Sequence, residues 1–191
     1  VEQAPADLRF KPASVMWFWR FGSDFPETAL LFLKQQEMIA HIAWEPWTPY
    51  GEAIPLADII NGKWDPYIDQ FARDAARVNL PLVLRFAHDM NGDWYPWAVA
   101  KNGQDAKLYV EAFRHVVQRF RQAGANKVQF VWCINNDSVP QASWNALAAT
   151  YPGDEYVDWL GIDGYNFGTS AKDSHWKCFE ETFRAAYEAV V

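Results

Sequence analysis

Carboxylates, amides and aromatic rings gather in a few short stretches of this 191-residue sequence. Asp89 directly follows the apolar run LVLRFA, with His88 before it, Asn91 after it, and Trp94, Tyr95 and Trp97 close behind. A carboxyl held among rings is desolvated, so its pKa rises and it can carry a proton near neutrality. Such a group can protonate a leaving oxygen. The other reading of Asp89 is an aspartate that caps the next turn or pairs with Arg85. Four further stretches share the composition: WFWRFGSDFP, AWEPWTPY, VWCINND and GIDGYNFG. Trp and Tyr stack on the apolar C–H face of a pyranose, while Asn, Asp, His and Arg meet its hydroxyls. The chemistry that fits is therefore that of a sugar polymer, whose glycosidic bond is broken by two carboxyl groups.

These stretches must be positioned, and the intervening sequence shows how. Short, mostly continuous apolar runs over 15–21, 38–44, 82–88, 128–135 and 157–165 read as parallel strands covered on both faces. Helical spacing of apolar residues marks 27–36, 65–78, 109–121 and 179–190. Strand-then-helix repetition implies a parallel sheet with right-handed crossovers, whose functional residues collect at the carboxyl ends of the strands. Each polar, ring-rich stretch falls at such an end. Half the residues are hydrophobic and 21% are charged, enough for a sizeable core and unlike a disordered chain.

A formal charge of −7 argues against nucleic acid or anionic membrane as partner, since both need clustered Lys and Arg. No apolar run approaches the roughly 18 residues of a membrane span. His41, His88, His115 and His175 form no pair at ligand spacing and there is no CxxC, so neither metal nor cofactor is expected. Cys133 and Cys178 are expected as two reduced, buried thiols. The sequence opens VEQAPADL without an initiator Met or an apolar leader.

The stretch LRFAHDMNGDWYPWA resembles the RxxHEMNGxWYPW signature of glycoside hydrolase family 26, which comprises β-1,4-mannanases and mixed-linkage β-glucanases on a (β/α)8 barrel. The segments AWEPW, GKWDPYIDQFA, AFRHVVQRFRQAGANKVQFVW, YPGDEYVDWLGIDGYNFG and the stretch from Trp176 to Phe179 follow in family order. The resemblance implies an α/β fold of the (β/α)8 TIM-barrel type with five βα units in this chain, over 15–191, after an N-terminal extension over 1–14. It implies a retaining endo-β-glycanase, acting outside the cytoplasm, secreted or periplasmic, on β-linked mannan or glucan; AWEPW and GDWYPW lean towards glucan. Asp89 stands at the position of the acid/base Glu and His88 at that of the His that orients the site. Trp44, Trp47, Trp94, Trp97 and Tyr165 match rings that line sugar subsites, and Arg85, Asn91 and Asn135 match polar residues of the cleft.

Two departures stand out. Asp at position 89 is one methylene shorter than Glu, and misplacing a catalytic group by ~1 Å can cost ~100-fold in rate. The family's nucleophile, a Glu in a segment resembling KPIxIxExG, has no counterpart here; Glu180, Glu181 and Glu188 read as the solvated face of the last helix. Glu45, Asp137 and Asp163 sit at strand ends, but Glu45 and Asp163 match family residues other than the nucleophile. At about 35 residues per unit a whole barrel needs about 280, so one unit ahead and two behind are expected to be missing. The rival readings are a carbohydrate-binding protein without catalysis and an unrelated flavodoxin-like α/β domain.

Overall fold

A computed structural model describes residues 11–172 and 174–191. Residues 1–10 of the expected N-terminal extension lie outside the described part. Five strands, β1 (Ser14–Arg20), β2 (Ile39–Glu45), β3 (Leu82–Phe86), β4 (Val128–Asn135) and β5 (Trp159–Asp163), form one parallel sheet in sequential order. Six α-helices connect and follow them: α1 (Glu27–Gln35), α2 (Leu56–Ile60), α3 (Asp65–Val78), α4 (Ala106–Gln122), α5 (Leu147–Thr150) and α6 (Phe179–Val190). A doubly wound sheet reverses its strand order to place helices on both faces. Here nothing reverses, so right-handed crossovers put all the helices on one side, as in a barrel wall.

Side-chain alternation then sorts the residues. Ala40, Ile42 and Trp44 of β2, Leu82, Leu84 and Phe86 of β3, and Phe130, Trp132 and Ile134 of β4 are buried in the core shared with the helices. The intervening residues Glu45, Arg85, Cys133, Asn135 and Asp163 share the opposite, concave face. The helices supply the other half of the core. In α3, Ile68, Phe71, Ala72 and Ala75 are buried; Pro66 fits the first turn, and Asn79 ends the helix in the left-handed region at φ 51°. In α4 the buried stripe runs from Ala106 through Tyr109, Phe113, Val116 and Val117 to Phe120. The Asp105 side chain accepts from the Lys107 N–H at 3.0 Å, which starts α4 three residues before the expected position.

Other boundaries moved for local reasons. The third strand ends at Phe86 because Ala87 and Asp89 take left-handed backbone conformations, with φ 46° and 55°. Helices α2 and α5 are too short to show a helical period. Cys133 is buried and free as expected, but Cys178 is free and exposed, because it precedes α6 in the cap position and does not lie in the helix.

Candidate active site

The carboxyl edge of the sheet assembles the site. Directly after β3 the chain turns at Ala87 and Asp89, and the Asp89 N–H donates to the Cys133 carbonyl at 3.0 Å, tying the turn to β4. That bond sends the Asp89 side chain into the concave face, where it is 3% exposed and its Oδ1 has no hydrogen-bond partner. Burial, the neighbouring Asp163 charge and a hydrogen bond to Asp163 push the Asp89 carboxyl up to about 7, while Arg85 and Trp94 pull the other way. Asp89 can therefore hold a proton at neutral pH.

Arg85 holds the second carboxyl of the site, that of Asp163. Its Nη1 donates to both oxygens of Asp163 at 2.7 Å, and its side chain is almost wholly buried. His88 sits beside this group with Nε2 3.1 Å from the Tyr95 hydroxyl, its carbonyl accepting from Trp97 Nε1 at 2.7 Å. Burial first, then Arg85, push the imidazole down to about 3, so it is neutral. Glu45, at the end of β2, is raised by burial against the pull of Arg20 and Arg85. Ligand atoms of His88, Asp89 and Asp163 lie within 4.8 Å of one another, close enough to grip a cation. The Arg85 guanidinium already neutralises Asp163, which opposes a dication there.

The expected site residues separate into three groups. Asp89, His88 and Arg85 come together as one cluster. Trp94, 46% exposed, and Tyr165, 65% exposed, present rings at the rim, and Trp47 is half-buried, edge-on to Trp97 at 5.7 Å. Gly92 lets the Trp94 indole fold back: a Cβ there would lie 2.5 Å from Cζ2. The third group lies beneath the surface. Trp44, expected as a subsite ring, is 0% exposed and packed between Phe21 at 4.2 Å and Phe71 at 4.7 Å; it points to the helical side of β2 and has no face for a sugar. Trp97, 1% exposed, stacks on Tyr95 at 4.4 Å and positions His88 from below. Asn91 is spent on structure. Its Nδ2 donates to the Asn135 carbonyl at 2.9 Å and its Oδ1 accepts from the Asn135 N–H at 2.8 Å. The Asn135 side chain donates to the Asp137 carbonyl at 2.7 Å, so this pair stitches the loops after β3 and β4.

Sequence reasoning missed Asn145, which is fully buried and donates to the Asn91 and Pro140 carbonyls at 2.8 and 3.0 Å. An Asn in SWNAL carries no local signal of that role. Tyr95 and Asp163 stood in conspicuous stretches, but the path of the loop after β3 sets the contact of Tyr95 to His88 and the sheet sets that of Asp163 to Arg85.

A single-wound parallel sheet with a proton-holding carboxyl and rings at its carboxyl edge is the wall of a glycosidase-type (β/α) barrel. Comparison with known proteins narrows this. The model of glycosyl hydrolase family 26 matches residues 57–187, and the chain belongs to that family. Endoglucanase H of Acetivibrio thermocellus is 41% identical over 155 residues, covering 80% of this chain and 16% of that protein. A β-1,3-xylanase of a Vibrio species is 30% identical over 122 residues, covering 63% of this chain and 24% of its own length. The solved β-mannanase of Bacteroides ovatus superposes with a TM-score of 0.62 at 18% identity, over 83% of this chain and 54% of that one. This chain thus spans a quarter or less of these two curated relatives and about half of the solved barrel. Its five βα units are part of a (β/α)8 barrel.

Proposed function

We propose that these residues carry the acid/base half of a retaining endo-β-glycanase that cleaves β-1,4-mannan or mixed-linkage β-1,3-1,4-glucan. The observation that carries the proposal is the Asp89 carboxyl: buried at the strand edge, with an unpartnered oxygen, and pushed up to about 7 by that burial first. It gives its proton to the glycosidic oxygen as the C–O bond breaks, and as carboxylate it takes a proton from the water that completes the turnover. Trp94 and Tyr165 hold the flanking pyranoses.

Asp163 is near enough to serve as the second carboxyl, but both its oxygens accept from Arg85. That pairing holds it in place, and we read it as the negative neighbour that adds to burial in raising the Asp89 carboxyl. Attack at the anomeric carbon is assigned to a Glu outside these 191 residues. The 41% identity to Endoglucanase H favours a glucan over a mannan. Polymeric glycans of either kind lie outside the cytoplasm, and among the described residues no helix is long and apolar enough to cross a membrane.

The short side chain at position 89 favours one other reading, a glycan-binding protein with little or no catalysis. Both are tested on the protein expressed from its full reading frame. On mixed-linkage glucan and β-mannan, Asp89→Glu raises the release of reducing ends by up to ~100-fold with binding unchanged. An unchanged rate refutes the acid role, and binding without reducing ends from either protein establishes the non-catalytic reading.

A further inference from the structure

Ala87, two residues ahead of the acid, holds a conformation that alanine does not favour. Its φ is 46° and that of Asp89 is 55°, and both residues are buried. Glu37, Asn79 and Gln104 also take positive φ, but in exposed turns beside helices. Aspartate is often found in the left-handed well, whereas the Cβ of alanine there crowds the following carbonyl oxygen. The surroundings hold the turn against that cost. The Ala87 N–H donates to the Trp44 carbonyl of β2 at 3.1 Å and the Asp89 N–H to the Cys133 carbonyl of β4 at 3.0 Å. The His88 carbonyl accepts from Trp97 Nε1 at 2.7 Å and the Asp89 carbonyl from the Gly92 N–H at 2.9 Å. Along an extended strand, residues two apart donate to the same neighbour and successive side chains point to opposite faces. Between Ala87 and Asp89 the donor direction switches from β2 to β4.

That switch brings the consecutive side chains of His88 and Asp89 to one face. Ligand atoms of both lie within 4.8 Å of each other and of Asp163, and the His88 ring is 5.8 Å from that of Phe18 on the concave side. Both strands that flank the turn are present, so this geometry lies inside the described sheet and away from its open edges. We infer that Ala87 is a positioning residue, whose methyl group confines the turn to the narrow left-handed well that sets the Asp89 carboxyl beside His88. The inference rests on the glycanase reading above and adds to it a residue that touches no substrate. Ala87 is fully buried and acts only through the side chains it places. Glycine would occupy the same well without strain, but it reaches positive and negative φ alike. The turn would gain freedom, and the carboxyl would lose its fixed place.

The test compares the protein expressed from its full reading frame with its Ala87→Gly variant on aryl β-glycosides of gluco- and manno-oligosaccharides. A phenyl leaving group needs the proton of the acid, whereas a dinitrophenyl group departs as a stable anion without it. We expect Ala87→Gly to lower kcat/KM about tenfold on the phenyl glycosides, to stay within about twofold of the parent on the dinitrophenyl glycosides, and to melt no lower than the parent. Equal loss on both kinds of glycoside overturns the inference, because the turn then shapes the cleft as a whole. Unchanged rates on both overturn it as well, and a lower melting temperature with parental rates marks Ala87 as a packing residue alone. Each of these outcomes leaves the glycanase reading intact. A parent that cleaves neither kind of glycoside sinks that reading and the positioning role with it.

Discussion

At the scale of single residues, the chemistry depends on an asymmetry between two aspartates. Arg85 donates to both oxygens of Asp163, while Asp89 keeps one oxygen unpartnered, so the guanidinium is engaged by one carboxyl and burial raises the other. Asp89 binds its proton near pH 7 in the folded protein against about 3.8 ordinarily. The native state therefore binds more protons than the unfolded chain between these values, and this contribution to stability is lost as pH rises from about 3.8 through 7. Asp89→Asn removes the effect: its melting temperature should match the parent's near pH 4 and exceed it by several degrees at pH 8, as read by calorimetry. The hydrolysis rate should fall as pH rises past about 7, when the acid loses its proton. Asp163→Asn should move that alkaline limb to lower pH, since it removes the negative neighbour and frees Arg85.

At the scale of elements, the site depends on three loops being locked to one another. Asn91 spans the loops after β3 and β4, and Asn145 closes the arrangement from the segment before α5. Asn145→Ala removes two hydrogen bonds, leaving the Pro140 carbonyl without this donor and the buried Asn91 carbonyl with the Val139 N–H alone, and should cost about 1 kcal/mol in denaturant unfolding. Trp44→Ala should cost ~3 to 5 kcal/mol through the cavity left among Phe21, Phe71 and Phe120. Gly92→Ala works differently. It leaves the core alone and drives the Trp94 indole from its place, so glycan affinity should fall in titrations while the unfolding midpoint holds.

At the scale of the molecule, the described sheet is an open wall. The outer edges of β1 and β5 have no strand partner among the described residues. The concave side carries Met16 at 43%, Phe18 at 54% and Trp159 at 54% exposure. Unpaired edges beside exposed apolar side chains favour association between chains. The 191-residue polypeptide by itself should sediment as concentration-dependent oligomers, and Phe18→Lys with Trp159→Lys should shift it towards monomer. A sharp monomer of the unaltered polypeptide at all concentrations would contradict this.

Much of this was legible in the sequence because it is local. Apolar runs and helical spacing gave all five strands and the four longer helices, and α3 and α6 match their expected ranges end to end. The placement of Asp89, His88 and the rings at strand ends follows from the same pattern, while the family came from the resemblance carried by LRFAHDMNGDWYPWA and the segments around it. What only the tertiary structure decided is which face each residue takes and what it meets there. Trp44 and Trp47 are three residues apart in one motif, yet the first lies inside the core and the second at the border of the site, because β2 ends between them. Asp163 and Arg85 are 78 positions apart and meet through the register of β3, β4 and β5. Residue types state what chemistry is available; the sheet's pairing determines which carboxyl keeps its proton, because that depends on burial and charge at distances the sequence does not contain.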